Sequence, residues 1–160
     1  MRGKTRTLLL SLPVLAAGLA VSLQAPAHLD DKQPMQSYRQ SWFALVGMNF
    51  GTLASMVKGD MPWNDEMAKT AASDLSALTQ MDVSRAFPPG TEKGTTRAKP
   101  EIWEEFDDFK ADLAELQEAV AALQVAADSG DKKAIAAAVG ETGKTCKGCH
   151  DEFKSKDYLY

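Results

Sequence analysis

Apolar residues recur at steps of three and four positions along most of the chain, which is the period of an amphipathic helix. The first such stripe runs from Pro34 to Lys58, and Gly59 follows it as a typical C-terminal stop. The second begins after Asn64, a favourable N-cap residue, and continues to about Gln80. We therefore predict two helices joined by a short connection in the first half of the chain.

The second half of the chain repeats this pattern after a long connection. A loop rich in glycine, threonine and lysine occupies residues 87–99. A third helix is predicted from Pro100 to Ser129, and a fourth from Asp131 towards Phe153. Alternating runs of β-branched residues, which are typical of strands, do not occur. The pattern predicts an all-α fold, an antiparallel four-helix bundle with one longer crossover.

The first 27 residues differ from the rest. Three basic residues at the start are followed by an apolar stretch from Leu8 to Leu23, and Ala25-Pro26-Ala27 provides small residues for cleavage. The apolar stretch is about 16 residues long, whereas a membrane-spanning helix needs roughly 20. We favour a cleaved secretory signal over residues 1–27 and an exported domain over residues 28–160. A retained membrane anchor is the alternative.

Charge excludes one class of partner. The chain has 18 basic and 22 acidic residues. Three of the basic residues lie in the predicted signal, so the mature domain has 15 and a net charge of −7. A surface of this sign disfavours nucleic acid, whose phosphates require neutralising lysine and arginine. After cleavage we expect no contact with the membrane.

One motif carries recognisable chemistry. Cys146-Lys147-Gly148-Cys149-His150 is C-x-x-C-H, the attachment signature of a c-type haem. On a helix, the two thiols and the imidazole lie on one face, where the thiols form thioethers to one porphyrin and the imidazole ligates its iron. A zinc site would need about four ligands, and a plain disulfide would leave His150 unexplained. We therefore predict one covalently attached haem c.

The residues leave the second axial ligand of the iron open. His28 would lie at the new N-terminus after cleavage, where it would be a poor fixed ligand. The remaining donors are methionines, with Met48 and Met35 the first to consider. In a helical bundle, however, a methionine most often fills the core.

The chain resembles the cytochrome c′ family over nearly the whole predicted mature domain. The matching motifs are Tyr38-Arg39-Gln40-Ser41, Met56-Val57-Lys58-Gly59, Ala86-Phe87-Pro88-Pro89-Gly90-Thr91-Glu92, Lys99-Pro100-Glu101-Ile102-Trp103, and the segment from Thr142 to Asp151 that contains C-x-x-C-H. The resemblance implies a four-helix bundle with haem near the C-terminus and a five-coordinate, high-spin iron. It further implies an apolar distal pocket that admits NO and CO, a periplasmic location and, often, a homodimer.

The resemblance also assigns roles by position. Phe43 falls where the family places the residue over the distal face of the haem, and low-spin relatives place a ligating methionine there. Arg39 and Gln40 fall where the family holds a haem propionate. Thr96 and Arg97 fall near the haem edge.

Two positions depart from the family pattern. Lys154 stands where many members have an arginine close to the axial histidine, so a flexible ammonium replaces a planar guanidinium. Phe43 is bulkier than the leucine common at the distal site, which suggests low affinity for diatomic ligands on that face.

These features favour a non-enzymatic haem protein that binds NO, and CO weakly, and that buffers or transports NO with one-electron redox chemistry. The alternative is an electron carrier between redox partner proteins, in which an acidic surface docks a basic partner. A haem enzyme is least favoured, because the helix face around Phe43 offers no acid–base group. Extra apolar surface on the first helix, at Phe43, Leu45, Met48 and Phe50, suggests pairing with a second copy.

Overall fold

The computed structural model describes residues 33–159, so the predicted signal peptide (1–27) and His28 lie outside the described residues. Its helices are α1 (Pro34–Lys58), α2 (Asp65–Thr79), α3 (Glu101–Glu104), α4 (Phe106–Ser129) and α5 (Lys132–Phe153). Its strands are β1 (Thr96–Ala98) and β2 (Lys154–Leu159), and a short 3-10 turn spans Val83–Ala86. The four long helices form the predicted four-helix bundle.

The bundle closes through consecutive neighbours. α1 packs on α2, α2 on α4 and α4 on α5, while α1 and α5 approach each other at fewer positions. Short connections follow α1 and α4, so each pair of helices that they join runs antiparallel. Over residues 33–159, no helix combines the length and the apolar character that crossing a membrane requires.

Local sequence signals account for the helix ends. The side chain of Asn64 accepts a hydrogen bond from the Met67 amide at 2.9 Å, and Asp131 caps α5 by accepting from the Lys133 amide at 2.8 Å. Gly59 and Gly130 end α1 and α4 with φ of 81° and 72°, a left-handed conformation that favours glycine. The predicted boundaries of the first, second and fourth helices are therefore confirmed.

The core lies along the bundle axis. Its fully buried members include Leu53 of α1, Leu75 of α2, Leu123 of α4 and Ile135 of α5. Trp42 is also buried, and its indole Nε1 donates to the carbonyl oxygen of Leu78 at 2.9 Å, which links α1 to α2. Each long helix therefore contributes large apolar side chains to one shared core.

The third predicted helix is not continuous, so that prediction is wrong at one point. It breaks at Glu105, where φ is −119° and ψ is 46°, and this separates the single turn of α3 from α4. The indole of Trp103 lies 5.7 Å from the Phe87 ring, and its Nε1 donates to the carbonyl oxygen of Pro88 at 3.2 Å. The break accompanies a turn that brings Trp103 onto the crossover loop.

The structure adds a two-stranded antiparallel ribbon that the sequence pattern does not indicate. β1 lies at the end of the crossover loop, and β2 continues directly from α5. Thr96 pairs with Leu159, and Ala98 pairs with Lys154. The ribbon joins the crossover loop to the end of the helix that carries the C-x-x-C-H motif.

Candidate functional site

The last two turns of α5 carry the three residues of the C-x-x-C-H motif. Cys146 and Cys149 are half-buried free thiols that pack against the hydrophobic core, and His150 is exposed. Gly143 lies three residues before Cys146, so it shares the same side of the helix. The motif therefore presents two thiols and an imidazole on one side of one helix.

The environment keeps both thiols protonated. Burial raises the pKa of Cys146, and it raises the pKa of Cys149 to about 12 with a contribution from the nearby Asp112 carboxylate on α4. A thioredoxin-type redox pair requires a thiol whose pKa is lowered instead. The raised pKa values thus argue against a dithiol-exchange pair.

The pKa of the imidazole shifts in the opposite direction, and this shift also favours the uncharged form. The part of the His150 ring that the protein covers, together with the positive charges of Lys154 and Arg97, lowers the pKa of His150, while Asp151 opposes this shift. A lowered pKa favours the neutral imidazole at pH 7. The neutral form is the one that ligates a metal.

One side of α1 faces this motif across the bundle. Phe43, Gly47 and Phe50 follow at steps of four and three, so they share that side. A Cβ added at Gly143 of α5 would lie 3.5 Å from Cζ of Phe50, whereas one added at Gly47 would meet no heavy atom within 4 Å. Phe43 is half-buried and lies edge-on to Trp42, with ring centroids 4.8 Å apart. The approach of Phe50 to Gly143 thus brings this side of α1 towards α5, and Gly47 on the same side leaves open space.

Arg39 lies at the same end of the bundle and is buried, with only 2% of its surface exposed. Its Nη1 donates to the carbonyl oxygen of Ala86 at 3.1 Å, and its Nη2 donates to that of Thr91 at 2.6 Å. The guanidinium lies 4.8 Å from the ring centroid of Phe87 and 5.3 Å from that of Trp103. Burial lowers the pKa of Arg39, and the Glu92 carboxylate opposes the shift.

Gln40 also binds the crossover loop. Its Nε2 donates to the carbonyl oxygen of Thr95 at 2.9 Å, and the Gln36 amide donates to the same oxygen. Thr96 is buried next to this point, and its hydroxyl accepts a hydrogen bond from the Ala98 amide at 3.1 Å. The loop therefore lies against the first turns of α1.

Arg97 faces the C-terminal strand. Its Nε donates to the carbonyl oxygen of Ser155 at 2.9 Å, and its Nη2 donates to that of Lys156 at 2.6 Å. The structure thus gathers all eight sequence-predicted site residues at one end of the bundle. They lie on α1, on the crossover loop and on α5.

The arrangement matches a known family. The family model for cytochrome c′ matches residues 35–154, which is most of the described chain and includes the complete C-x-x-C-H motif. The chain belongs to the cytochrome c′ family. Cytochrome c′ from Cereibacter sphaeroides is 46% identical over 147 residues, covering 89% of this chain and 97% of that protein.

Solved structures of the family agree with this assignment. The crystal structure of cytochrome c′ from Rubrivivax gelatinosus has a TM-score of 0.72 at 42% identity, covering 77% of this chain and 96% of that one. A nitric oxide complex of a cytochrome c prime variant from Alcaligenes xylosoxidans has a TM-score of 0.69 at 36% identity, covering 77% of this chain and 95% of that one. The resemblance to this family is thereby confirmed, and with it haem c as the cofactor.

The described residues fit the cofactor of the cytochrome c′ family. The two half-buried thiols are the only cysteines in the sequence. Nε of Arg39 is buried without a hydrogen-bond partner among the described residues, so one guanidinium N–H is left for an acceptor such as a propionate. Both observations agree with a haem held between α1 and α5.

The methionines are placed differently from Phe43. Met48 is 62% exposed and Met35 is 42% exposed. Neither lies three, four or seven residues from Phe43, so neither shares its side of α1. The side of α1 that carries Phe43 and Phe50 therefore presents phenyl rings rather than the thioethers of Met35 and Met48.

Sequence reasoning missed the residues that hold the crossover loop and the end of α5. Thr91 binds Arg39, and Thr95 accepts from both glutamines. Lys99 donates from Nζ to the carbonyl oxygens of Asp151 and Glu152. Threonines and a lysine in a polar loop carry no periodic signal. The unusual length of the loop and the presence of Thr91 and Lys99 in motifs shared with the family are the sequence features that indicate a role.

Proposed function

We propose that the chain is a periplasmic c-type haem protein with five-coordinate, high-spin iron, which binds NO, and CO weakly, and serves to buffer or transport NO with one-electron redox chemistry. The observation that carries this proposal is the position of Phe43 on the side of α1 that faces α5. A phenyl ring has no lone pair to donate to iron and no proton to donate to a ligand. When bound, the haem supplies an iron atom with one open axial position.

In this proposal α5 holds the cofactor covalently. Cys146 and Cys149 form the two thioethers, and His150 ligates the iron from the same side of the helix. Because both thiols pack against the core, the thioethers fasten the cofactor to the interior of the bundle. This arrangement predicts that the haem remains attached after the protein unfolds.

The polar edge of the cofactor is assigned to the crossover-loop end of the bundle. Arg39 and Gln40 hold a propionate, with Thr96 and Arg97 near the haem edge. The unpartnered Nε of Arg39 supports a contact of this kind. A charge-assisted bond from arginine to a carboxylate is stronger than one between neutral groups.

We propose a binding protein rather than an enzyme. Peroxidase or reductase chemistry requires an acid–base group close to the distal face. Phe43, Gly47 and Phe50 offer no titratable atom along the side of α1 that faces α5. Nitric oxide complexes of cytochrome c prime from Alcaligenes xylosoxidans support NO as the ligand, because that protein has the same fold.

A homodimer is proposed through the outward side of α1. We call the apolar residues on that side and beside it the outer patch; they are the exposed Met35, Leu45, Met48 and Met81 and the half-buried Tyr38 and Leu78. Most of them line a groove of about 750 Å³ between α1 and the end of α2. A self-complementary patch on one helix suits a two-fold interface. Phe43 and Phe50, which the sequence analysis grouped with this surface, lie on the other side of α1.

An electron carrier is the second candidate, favoured by the net charge of −7 for the mature domain, 15 basic against 22 acidic residues, which suits a basic redox partner. Spin state distinguishes the two functions. A carrier with two strong axial ligands would be low-spin, whereas a ligand-binding protein has an open iron site.

Absorption spectra of the ferric and ferrous protein, before and after addition of NO and CO, test the proposal. We expect high-spin spectra at neutral pH, a clear change with NO and a small one with CO. A low-spin spectrum with a methionine–iron charge-transfer band would contradict the proposal and favour electron transfer. Export is tested separately, by the mass of the mature chain from a periplasmic extract.

Covalent attachment has its own test. The haem should survive acid–acetone extraction and denaturing electrophoresis, and a Cys146→Ser, Cys149→Ser double variant should lose it under both treatments. Loss of haem from the unmodified chain under either treatment would contradict attachment through these cysteines.

A further inference from the structure

We propose that the C-terminal strand β2 is a clasp that fixes the last turn of α5 and thereby positions His150, with Arg97 as its anchor. This inference rests on the proposed role of His150 as the iron ligand. It concerns a segment that lies almost wholly beyond the family match, which ends at residue 154, whereas β2 continues to Leu159.

Arg97 anchors the strand by its backbone. One guanidinium donates to two consecutive carbonyl oxygens, those of Ser155 at 2.9 Å and Lys156 at 2.6 Å. The same guanidinium lies 6.0 Å from the ring centroid of Tyr158, further along the strand. Because the two acceptors are main-chain atoms, these hydrogen bonds depend on the presence of the strand and not on the side chains of Ser155 and Lys156.

Lys99 holds the end of the helix from the same loop. The last carbonyl groups of a helix have no partner within it. Lys99 supplies partners for three of them, since its Nζ donates to Asp151 at 3.2 Å and Glu152 at 2.6 Å, and its amide donates to Phe153 at 3.0 Å. The crossover loop therefore terminates α5 directly.

The strand begins where the turn that carries His150 ends. The Lys154 amide donates to the carbonyl oxygen of His150, and Lys154 pairs with Ala98 in the ribbon. Moving His150 away from its position requires this turn to tilt or unwind. Such a motion would strain the ribbon pairing and the bonds from Lys99 and Arg97 together.

The clasp therefore gives His150 a stiffer support than a free helix end would. With haem and NO bound, a weakened bond from the iron to His150 would break more readily on a loose turn than on a fixed one. We expect the clasp to increase the fraction of the NO-bound protein in which His150 remains a ligand.

The test compares the haem-loaded chain with an Arg97→Ala variant and with a chain that ends at Lys154. Lys156→Ala is the matched control, because it alters the same strand and keeps the carbonyl oxygen that Arg97 binds. Hydrogen exchange of the amides of residues 150–154 should be about tenfold faster in both test variants and unchanged in the control. Unchanged exchange in Arg97→Ala and the shortened chain would overturn the clasp.

Electron paramagnetic resonance of the ferrous NO complex gives the second readout. Both test variants should show a larger share of protein with His150 released than the unmodified chain and the control do. An equal share in all four proteins would overturn the effect on His150 even if exchange changes. Failure of every protein to bind NO would instead contradict the proposed function, while the exchange data would still decide the clasp.

Discussion

The two sides of α1 have similar apolar content but different surroundings. On the side that faces α5, Phe43 is half-buried and Phe50 approaches Gly143. On the outward side, Leu45 is 44% exposed and Met48 is 62% exposed. The comparison teaches that one apolar helix can present two separate surfaces, and we propose that one faces the cofactor and the other a second copy of the chain.

The largest expected effect concerns Arg39. Its hydrogen bonds to Ala86 and Thr91 fix how α1 is turned about its own axis, and this determines which of its sides faces α5. Arg39→Met would leave the carbonyl groups of Ala86 and Thr91 without these donors. We expect the free energy of unfolding of the haem-loaded protein to fall by about 3 kcal/mol, as measured by denaturant titration.

Arg85→Ala is the control for this substitution. Arg85 is exposed, and its guanidinium contacts the Tyr38 hydroxyl at 3.3 Å. A loss of only about 0.5 kcal/mol is expected there. Equal losses of unfolding free energy for the two arginines would contradict a stabilising role for the buried contacts of Arg39.

The second prediction concerns Phe43 and alters the α5-facing side alone. If CO must displace the ring, Phe43→Ala should increase CO affinity by about tenfold to a hundredfold, because forcing extra atoms into a packed site costs about 1–3 kcal/mol. Phe43→Met should shift the iron towards low spin. CO titration and absorption spectra measure both effects, and sedimentation should show unchanged association.

The smallest expected effect concerns the outward side. Leu45→Lys should weaken self-association by about tenfold, because it places a charge in the outer patch. Its spectra with NO and CO should match those of the unmodified chain. Val125→Lys on α4 is the control, since Val125 is equally apolar, 71% exposed and outside the patch. A monomer at micromolar concentration in all three proteins, observed by sedimentation, would contradict the dimer.

The helices were predictable because their signals are local. Asn64 and Asp131 act as N-caps, and Gly59 and Gly130 end helices in the left-handed conformation, as the sequence indicates. The C-x-x-C-H motif is equally local, since five consecutive residues on one helix define it. Periodicity and capping act within a few residues, so a single sequence reveals them.

The remaining features depend on contacts between distant parts of the chain. The break at Glu105 has no glycine or proline signal and accompanies the contacts of Trp103 with the crossover loop. The ribbon pairs a three-residue strand with a polar terminal one, so neither has a recognisable pattern. Periodicity also could not show which apolar side of α1 faces α5.

The contacts of Arg39 have a consequence for the order of folding. α1 with α2, and α4 with α5, are hairpins of helices adjacent in the chain, so each closes a short loop. Arg39 instead joins α1 to the loop after α2 and to Trp103 in α3, across a long stretch of chain. Contacts of that separation form late in folding. Because they are largely absent from the transition state, these contacts lower the unfolding rate more than they raise the folding rate.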